Sequence, residues 1–297
     1  TFSLFTAPLL WRRRMFWVIA PLSIAFVNTM LLLKGSVGNL FFYTQNGIDW
    51  SRLLQISLWI TVGVHVLAIG IIDVLRHRDA SSILLSLWTF GTFAFSVFLN
   101  WTINGRTILP MVPAVAMQHA RVLKGWNQEK EETEKRPGLT IAQLYLSIIP
   151  AALLAIGVCG ADTALANAQR RAAQYIMSEF TNTRVKVWFQ GHWGFQYYME
   201  RSGATAINFN APRIQPGDVL IIPVNNANAK TRVYSLRFVR KSAFSSLGWL
   251  TTMQFPPLGA GFYSDLWGPL PFSFGLVPDE EYLLFSLFPH SINPHVK

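Results

Sequence analysis

The sequence predicts a membrane all-α helical bundle of about five transmembrane helices, residues 1–160, followed by a C-terminal extracytoplasmic α/β domain, residues 161–297. Three observations lead there. Charged residues make up only 13% of the 297 and mean hydropathy is +0.30, whereas soluble domains average about 25% charged. The charge that exists is clustered between long apolar stretches, and those stretches end near residue 160. Twenty-two Phe and eleven Trp complete the picture, since aromatic rings anchor at the headgroup level.

Five spans are predicted in order: 15–33, 53–75, 81–99, 107–122 and 139–158. The first is 19 residues long, close to what a hydrocarbon core of about 30 Å requires at about 1.5 Å per residue. The fourth is shorter and carries Pro110 and Pro113. Basic residues set the orientation, because Lys and Arg collect on the cytoplasmic side. Arg12, Arg13, Arg14, Arg76, Arg78, Arg121, Lys124, Lys130, Lys135 and Arg136 share one side, ten in all. The other side has three: Lys34, Arg52 and Arg106. The ten-residue side is expected to be cytoplasmic and everything after residue 160 outside. If the fourth span does not cross, that assignment reverses.

After residue 160 the pattern changes. Residues 161–180 read as an amphipathic helix. Strands are expected at 185–189, 204–209, 219–224, 232–239 and 281–288, with a turn and short helix over 191–202. Strand, helix, strand, strand is an α/β signature. Residues 259–275, rich in Gly, Pro and aromatics, read as an ordered loop.

Composition excludes several classes. One cysteine, Cys159, rules out an internal disulfide and reads as a small packing residue. The net charge of +10 is loop charge plus a basic outer domain. No basic stripe with interleaved aromatics supports nucleic-acid binding. The chain starts Thr-Phe-Ser-Leu-Phe with no Met and no signal-peptide pattern, so it reads as a C-terminal portion whose preceding part is absent.

Arg106 is the sharpest position. It stands between Gly105 and the proline-broken fourth span, at the outer interface. A charge at that depth is costly unless it is paired or snorkels. A guanidinium there suits a phosphate, through bidentate bonds, and Asn100 and Asn104 could add donors. An ordinary interfacial Arg is the alternative. Asn100-Trp101-Thr102 is formally a glycosylation sequon but lies too close to the membrane to be an acceptor. His65 falls mid-span, where an ionisable group is either functional or bonded to a neighbouring helix. Asp73 is expected to pair with Arg76.

In the outer domain, Gly191-His192-Trp193-Gly194-Phe195-Gln196 follows a strand directly. Glycines at such a turn allow close backbone approach, and His192 could serve as acid, base or donor. Trp193 and Gln196 are further candidates to face a site; a tight turn with aromatic packing is the plainer reading. Asp279-Glu280-Glu281 reads as a solvated turn. No Asp-x-Asp pair, P-loop, Gly-x-Ser-x-Gly or His-Glu-x-x-His is present. No metal site and no cofactor are evident, although a divalent cation used by the intact protein stays open.

The run Asn100-Trp101-Thr102-Ile103-Asn104-Gly105-Arg106-Thr107-Ile108-Leu109-Pro110-Met111-Val112-Pro113 resembles the Asn-x-Arg-[Tyr/Thr]-x-Leu-Pro-x-x-Pro segment of family 39-type membrane glycosyltransferases. These include protein O-mannosyltransferases and the transferase that adds aminoarabinose to lipid A. The segments 187–198 and 261–272 resemble the outer region of bacterial members. The resemblance implies a GT-C-type architecture that takes a sugar from a polyprenyl-phosphate donor and passes it to a protein, lipid or glycan acceptor outside a bacterial inner membrane. It implies that Arg106, with Asn104 and Asn100, meets the lipid phosphate, and that the catalytic carboxylate lies upstream of this chain. Membrane lipids are the surrounding partner, and nucleic acid is not a partner. Two rival readings stand beside it: a transporter or flippase for a lipid-linked sugar, and a non-catalytic membrane module with a partner-binding outer domain.

Overall fold

The computed structural model describes residues 13–45, 47–102, 104–134, 141–208, 213–226 and 236–287. The chain divides into two compact units. Residues up to Cys159 together with Thr252–Gly275 form the first; Gly160–Thr251 and residues from Leu276 onward form the second. The break at 160 agrees with the change in sequence pattern. The 252–275 loop, expected within the outer domain, belongs instead to the first unit.

Among the described residues six helices build the first unit: α1 (Arg13–Lys34), α2 (Trp50–His77), α3 (Ala80–Ala94), α4 (Gly105–Ile108), α5 (Val112–Glu134) and the first part of α6 (Ile141–Ser178). Helix α2 starts where the Asp49 carboxylate accepts from Arg52 N at 3.0 Å. It ends at Arg78, whose φ of +51° cannot continue a helix. Asp79 then opens α3 with a capping box: its carboxylate accepts from Ser82 N, and Ser82 Oγ accepts from Asp79 N. The Ser82 amide first, then the Arg121 guanidinium, hold the exposed Asp79 carboxyl well below the usual carboxylate range. A π-helical turn, Phe95–Leu99, carries α3 to Asn100.

Among the described residues three helices, not five, are long and apolar enough to cross a membrane: Trp50–His77, Ala80–Leu99 and Ile148–Ser178. The apolar stretch Pro21–Lys34 is shorter. The fourth expected span is not one helix. It breaks into the single turn α4, a 3-10 turn at Leu109–Met111 and then α5. Pro110 and Pro113 cause this, because each lacks the amide N–H that would continue the preceding turn.

Short antiparallel pairs at 36–41 and 43–48 connect α1 to α2. The 252–275 loop packs on them and on the 100–106 segment. Asn39 Nδ2 donates to Leu266 O at 2.8 Å, and the Gln55 side chain bonds both Phe274 N and Phe274 O. Leu270 is buried with Leu40, Phe42, Leu53 and Ile56. Gly268 lies so close to the Gly259 backbone that any Cβ would overlap it.

The second unit is a five-stranded sheet with helices. Its strands are β1 (Val187–Phe189), β2 (Thr205–Ala206), β3 (Val219–Pro223), β4 (Leu236–Phe244) and β5 (Glu280–Leu287), with α7 (Trp193–Arg201) between β1 and β2. The order is β2-β1-β3-β5-β4; β1 runs parallel to β2 and β3, and β5 runs antiparallel to β3 and β4. Strand β3, Val-Leu-Ile-Ile-Pro, is buried throughout, as a central strand covered on both faces should be. Ala172, Ile176, Phe195 and Met199 from the helices cover one face; Trp188, Leu220 and Ile222 form the other core. The helix expected at 161–180 is the continuous last part of α6. Cys159 is exposed on that helix rather than packed inside.

Candidate functional site

The first-unit site is built around the 100–106 segment. The Asn100 side chain folds back to donate to the Thr102 carbonyl. Thr102 is 5% exposed, and its hydroxyl donates to Asp265 Oδ1 at 2.6 Å. Asn104 is the N-cap of α4, its side-chain oxygen accepting from Thr107 N at 3.1 Å. Its amide Nδ2 is buried and has no hydrogen-bond partner among the described residues. Gly105 lies under Phe262 and Pro271; a Cβ there would come within 2.8 Å of the Phe262 ring. The Arg106 backbone N–H points to the Phe262 carbonyl at 3.4 Å. The Arg106 side chain is exposed, and no carboxylate pairs with it among the described residues.

The segment therefore presents a buried, unspent amide donor and an open guanidinium two residues apart. The fold fixes the backbone that carries them through the Asn104 cap, the Gly105 contact and the Thr102–Asp265 bond. The open guanidinium can bind an anion, since it supplies charge and a two-pronged donor; the Asn104 amide lies buried behind the same backbone. The sequon reading fails here, since Thr102 is buried and its hydroxyl is committed to Asp265.

His192, Trp193 and Gln196 belong to the second unit. His192 is exposed at the N-cap of α7, where its carbonyl accepts from Asn226 Nδ2 at 2.9 Å. Trp193 is exposed and holds φ at +53°, a conformation that bulky side chains rarely adopt. Gln196 Nε2 donates to Glu200 Oε1 at 2.9 Å. A cleft of about 610 Å³ in this unit is lined by residues such as Gln174, Ser178, Lys186 and Ser202. It opens at the start of β1, whereas His192 follows its end, so the glycine turn and the cleft are separate.

Sequence reasoning missed a buried polar group at the β3–β5 edge. Glu280 is the first residue of β5, only 2% exposed, and accepts from Asn225 Nδ2 at 2.9 Å. Burial pushes its carboxyl up to about 7, with the Asn225 bond opposing. The solvated turn expected at 279–281 is thus wrong for Glu280, because backbone pairing with Phe244 draws it into the sheet. Nearby on the strand, burial and Glu280 together raise the Tyr282 phenol.

His65 lies away from the Arg106 segment, with its ring 6.0 Å from that of His119 on α5. Asp73 bonds His77 at 2.9 Å and Arg121 at 3.1 Å; the expected pairing with Arg76 does not describe it. Arg121 is legible in the sequence only as a loop charge, and His119 and Gln118 not at all, because their partners on α2 and α3 are far away in the chain.

Three membrane-length apolar helices mark the chain as an integral membrane protein, and it carries an α/β unit as well. Compared with family models, curated proteins and solved structures, the chain matches none.

Proposed function

We propose that this chain is the donor-lipid-binding part of a membrane glycosyltransferase, which moves a sugar from a polyprenyl-phosphate donor to an acceptor on the outer face of a bacterial inner membrane. The observation that carries the reading is the exposed Arg106 guanidinium, without a carboxylate partner among the described residues, two positions from the buried amide of Asn104, on a segment held by the 252–275 loop. A phosphate monoester or diester at headgroup level is the ligand this pair fits. The resemblance of residues 100–113 to family 39-type transferases supports the same ligand. A lipid-linked-sugar transporter is the second reading, favoured by the buried polar residues between α2, α3 and α5.

The test uses the protein in nanodiscs with a radiolabelled polyprenyl-phosphate sugar. Wild type should bind the donor, and Arg106→Ala should lose most of that binding. Release of free polyprenyl phosphate would assign a transferase. Donor that binds and stays intact favours the transporter. Equal binding by wild type and Arg106→Ala would remove the phosphate role.

A further inference from the structure

Helices α2, α3 and α5 meet along a seam that carries polar side chains at intervals on all three helices, with Ile69 and Val122 packed among them. On α2, Ser57 bonds Asn28 of α1, Thr61 follows one turn on, then His65, and Asp73 lies two turns further. Sixteen residues separate Ser57 from Asp73, or about 24 Å of helix, against a hydrocarbon core of about 30 Å. From α5, His119 is fully buried and its ring lies 6.0 Å from that of His65. From α3, Thr89 donates to Gln118 at 3.1 Å, Gln118 to Ser86 at 3.2 Å, and Ser86 to the Gly70 carbonyl at 2.9 Å.

Two kinds of polar contact are present. The Ser86, Thr89 and Gln118 bonds satisfy one another and the backbone; side chains of this type hold membrane helices together. The titratable groups need a different account. Asp73 is 0% exposed. One carboxylate oxygen takes both His77 and Arg121, while Oδ2 is buried with no hydrogen-bond partner among the described residues. Helix association requires neither a buried carboxylate oxygen left open nor two imidazoles face to edge in mid-span. Ionisable groups held inside a membrane typically mark proton or ion pathways.

We propose that this seam conducts protons, with His65 and His119 as the central relay and the open oxygen of Asp73 as the station at the 76–79 end. His119 Nδ1 donates to the Val115 carbonyl at 2.8 Å, so its Nε2 both takes the proton, forming the imidazolium, and returns it to the next acceptor; each transfer moves one proton, and charge and atoms balance without any co-reactant. The charged groups around the path are few. His65 and His119 face each other; Asp73, His77, Arg121 and Asp79 form one cluster at its end; Lys124 follows one turn beyond Arg121. Helix α3 contributes no titratable side chain between residues 80 and 99. Ser86 and Gln118, bonded to each other and to the Gly70 carbonyl, occupy the two turns between His65 and Asp73, with Ile69 and Val122 packed in the same stretch.

The full chain reconstituted in liposomes loaded with a pH-sensitive dye provides the test. A potassium gradient with valinomycin sets the driving potential. Wild type should pass protons at least tenfold faster than protein-free liposomes. His65→Gln, at a partly exposed position that tolerates the change, should fall to the protein-free rate while keeping the wild-type melting temperature. Thr89→Val should lower the melting temperature and leave the flux in place. Flux at the protein-free rate for folded wild type would overturn the proposal. So would wild-type flux in His65→Gln, or flux that follows melting temperature across both variants.

Discussion

Thr102 Oγ1 and Asp265 Oδ1 lie 2.6 Å apart although 163 positions separate them in the chain. This bond ties the segment carrying Arg106 to the 252–275 loop. Thr102 is buried, so its hydroxyl has no water to replace the lost acceptor. Asp265→Ala should lower stability by about 1–3 kcal/mol and weaken donor binding without touching the donor. Thermal unfolding in detergent and a binding isotherm measure the two effects. An unchanged melting temperature would show that the bond does not hold the segment.

The Gly105 contact gives a sharper steric test. Gly105→Ala places a methyl 2.8 Å from the Phe262 ring. Overpacking of this kind costs about 1–3 kcal/mol. Phe262→Leu should recover part of that loss in the double variant, because the clash is with the ring. Additive losses in a double-mutant cycle would place the two residues out of contact.

Glu280 makes the second unit pH-sensitive. Its carboxyl titrates at about 7 in the folded chain, above the ordinary 4.5. The folded state therefore binds the proton more tightly than the unfolded state. Stability is fully present below pH 4.5 and declines as pH rises toward 7, by roughly 3 kcal/mol in the limit. Glu280→Gln should flatten that slope. Urea midpoints at pH 5 and pH 7.5, read by intrinsic tryptophan fluorescence, check this; an equal slope in the variant would assign the effect elsewhere.

Arg121 joins Asp73 of α2 to Asp79 at the start of α3. Asp73 is wholly buried, so Arg121→Met leaves it with His77 alone and should lower stability, by less than the about 3–5 kcal/mol of a fully buried pair because the Arg121 side chain is 27% exposed. Adding Asp73→Leu should restore much of the loss, since two apolar side chains can replace a buried pair. A double variant less stable than Arg121→Met would contradict this.

The sequence was most legible where one physical signal dominates. The apolar runs at 53–75 and 81–99 became α2 and α3 because length and hydropathy alone define them. The break near 160 and the strand at 219–223 followed from pattern and burial in the same way. What escaped depends on distant partners. Nothing local to Asp279-Glu280-Glu281 shows that Phe244 pairs with Glu280 and buries it. Nothing near residue 265 shows that Thr102 waits for it. The fourth span breaks where the sequence already marks it as short and interrupted, at Pro110 and Pro113. At the candidate site, Arg106 and Asn104 were readable as residues, but their support from Phe262 and Asp265 needed the fold. His65 was readable too, and its neighbour His119 was not.

The central claim is that Arg106 and Asn104 meet a lipid phosphate, and site-mapping by photocrosslinking tests it most directly. A polyprenyl phosphate with a diazirine in its first isoprene unit, incubated with the protein in nanodiscs and analysed by mass spectrometry, should label residues 100–108 and 262–265. Excess unlabelled polyprenyl phosphate and Arg106→Ala should each suppress that labelling. Label spread along the lipid-exposed faces of α2 and α3, or labelling at 100–108 that persists in Arg106→Ala, would contradict the account.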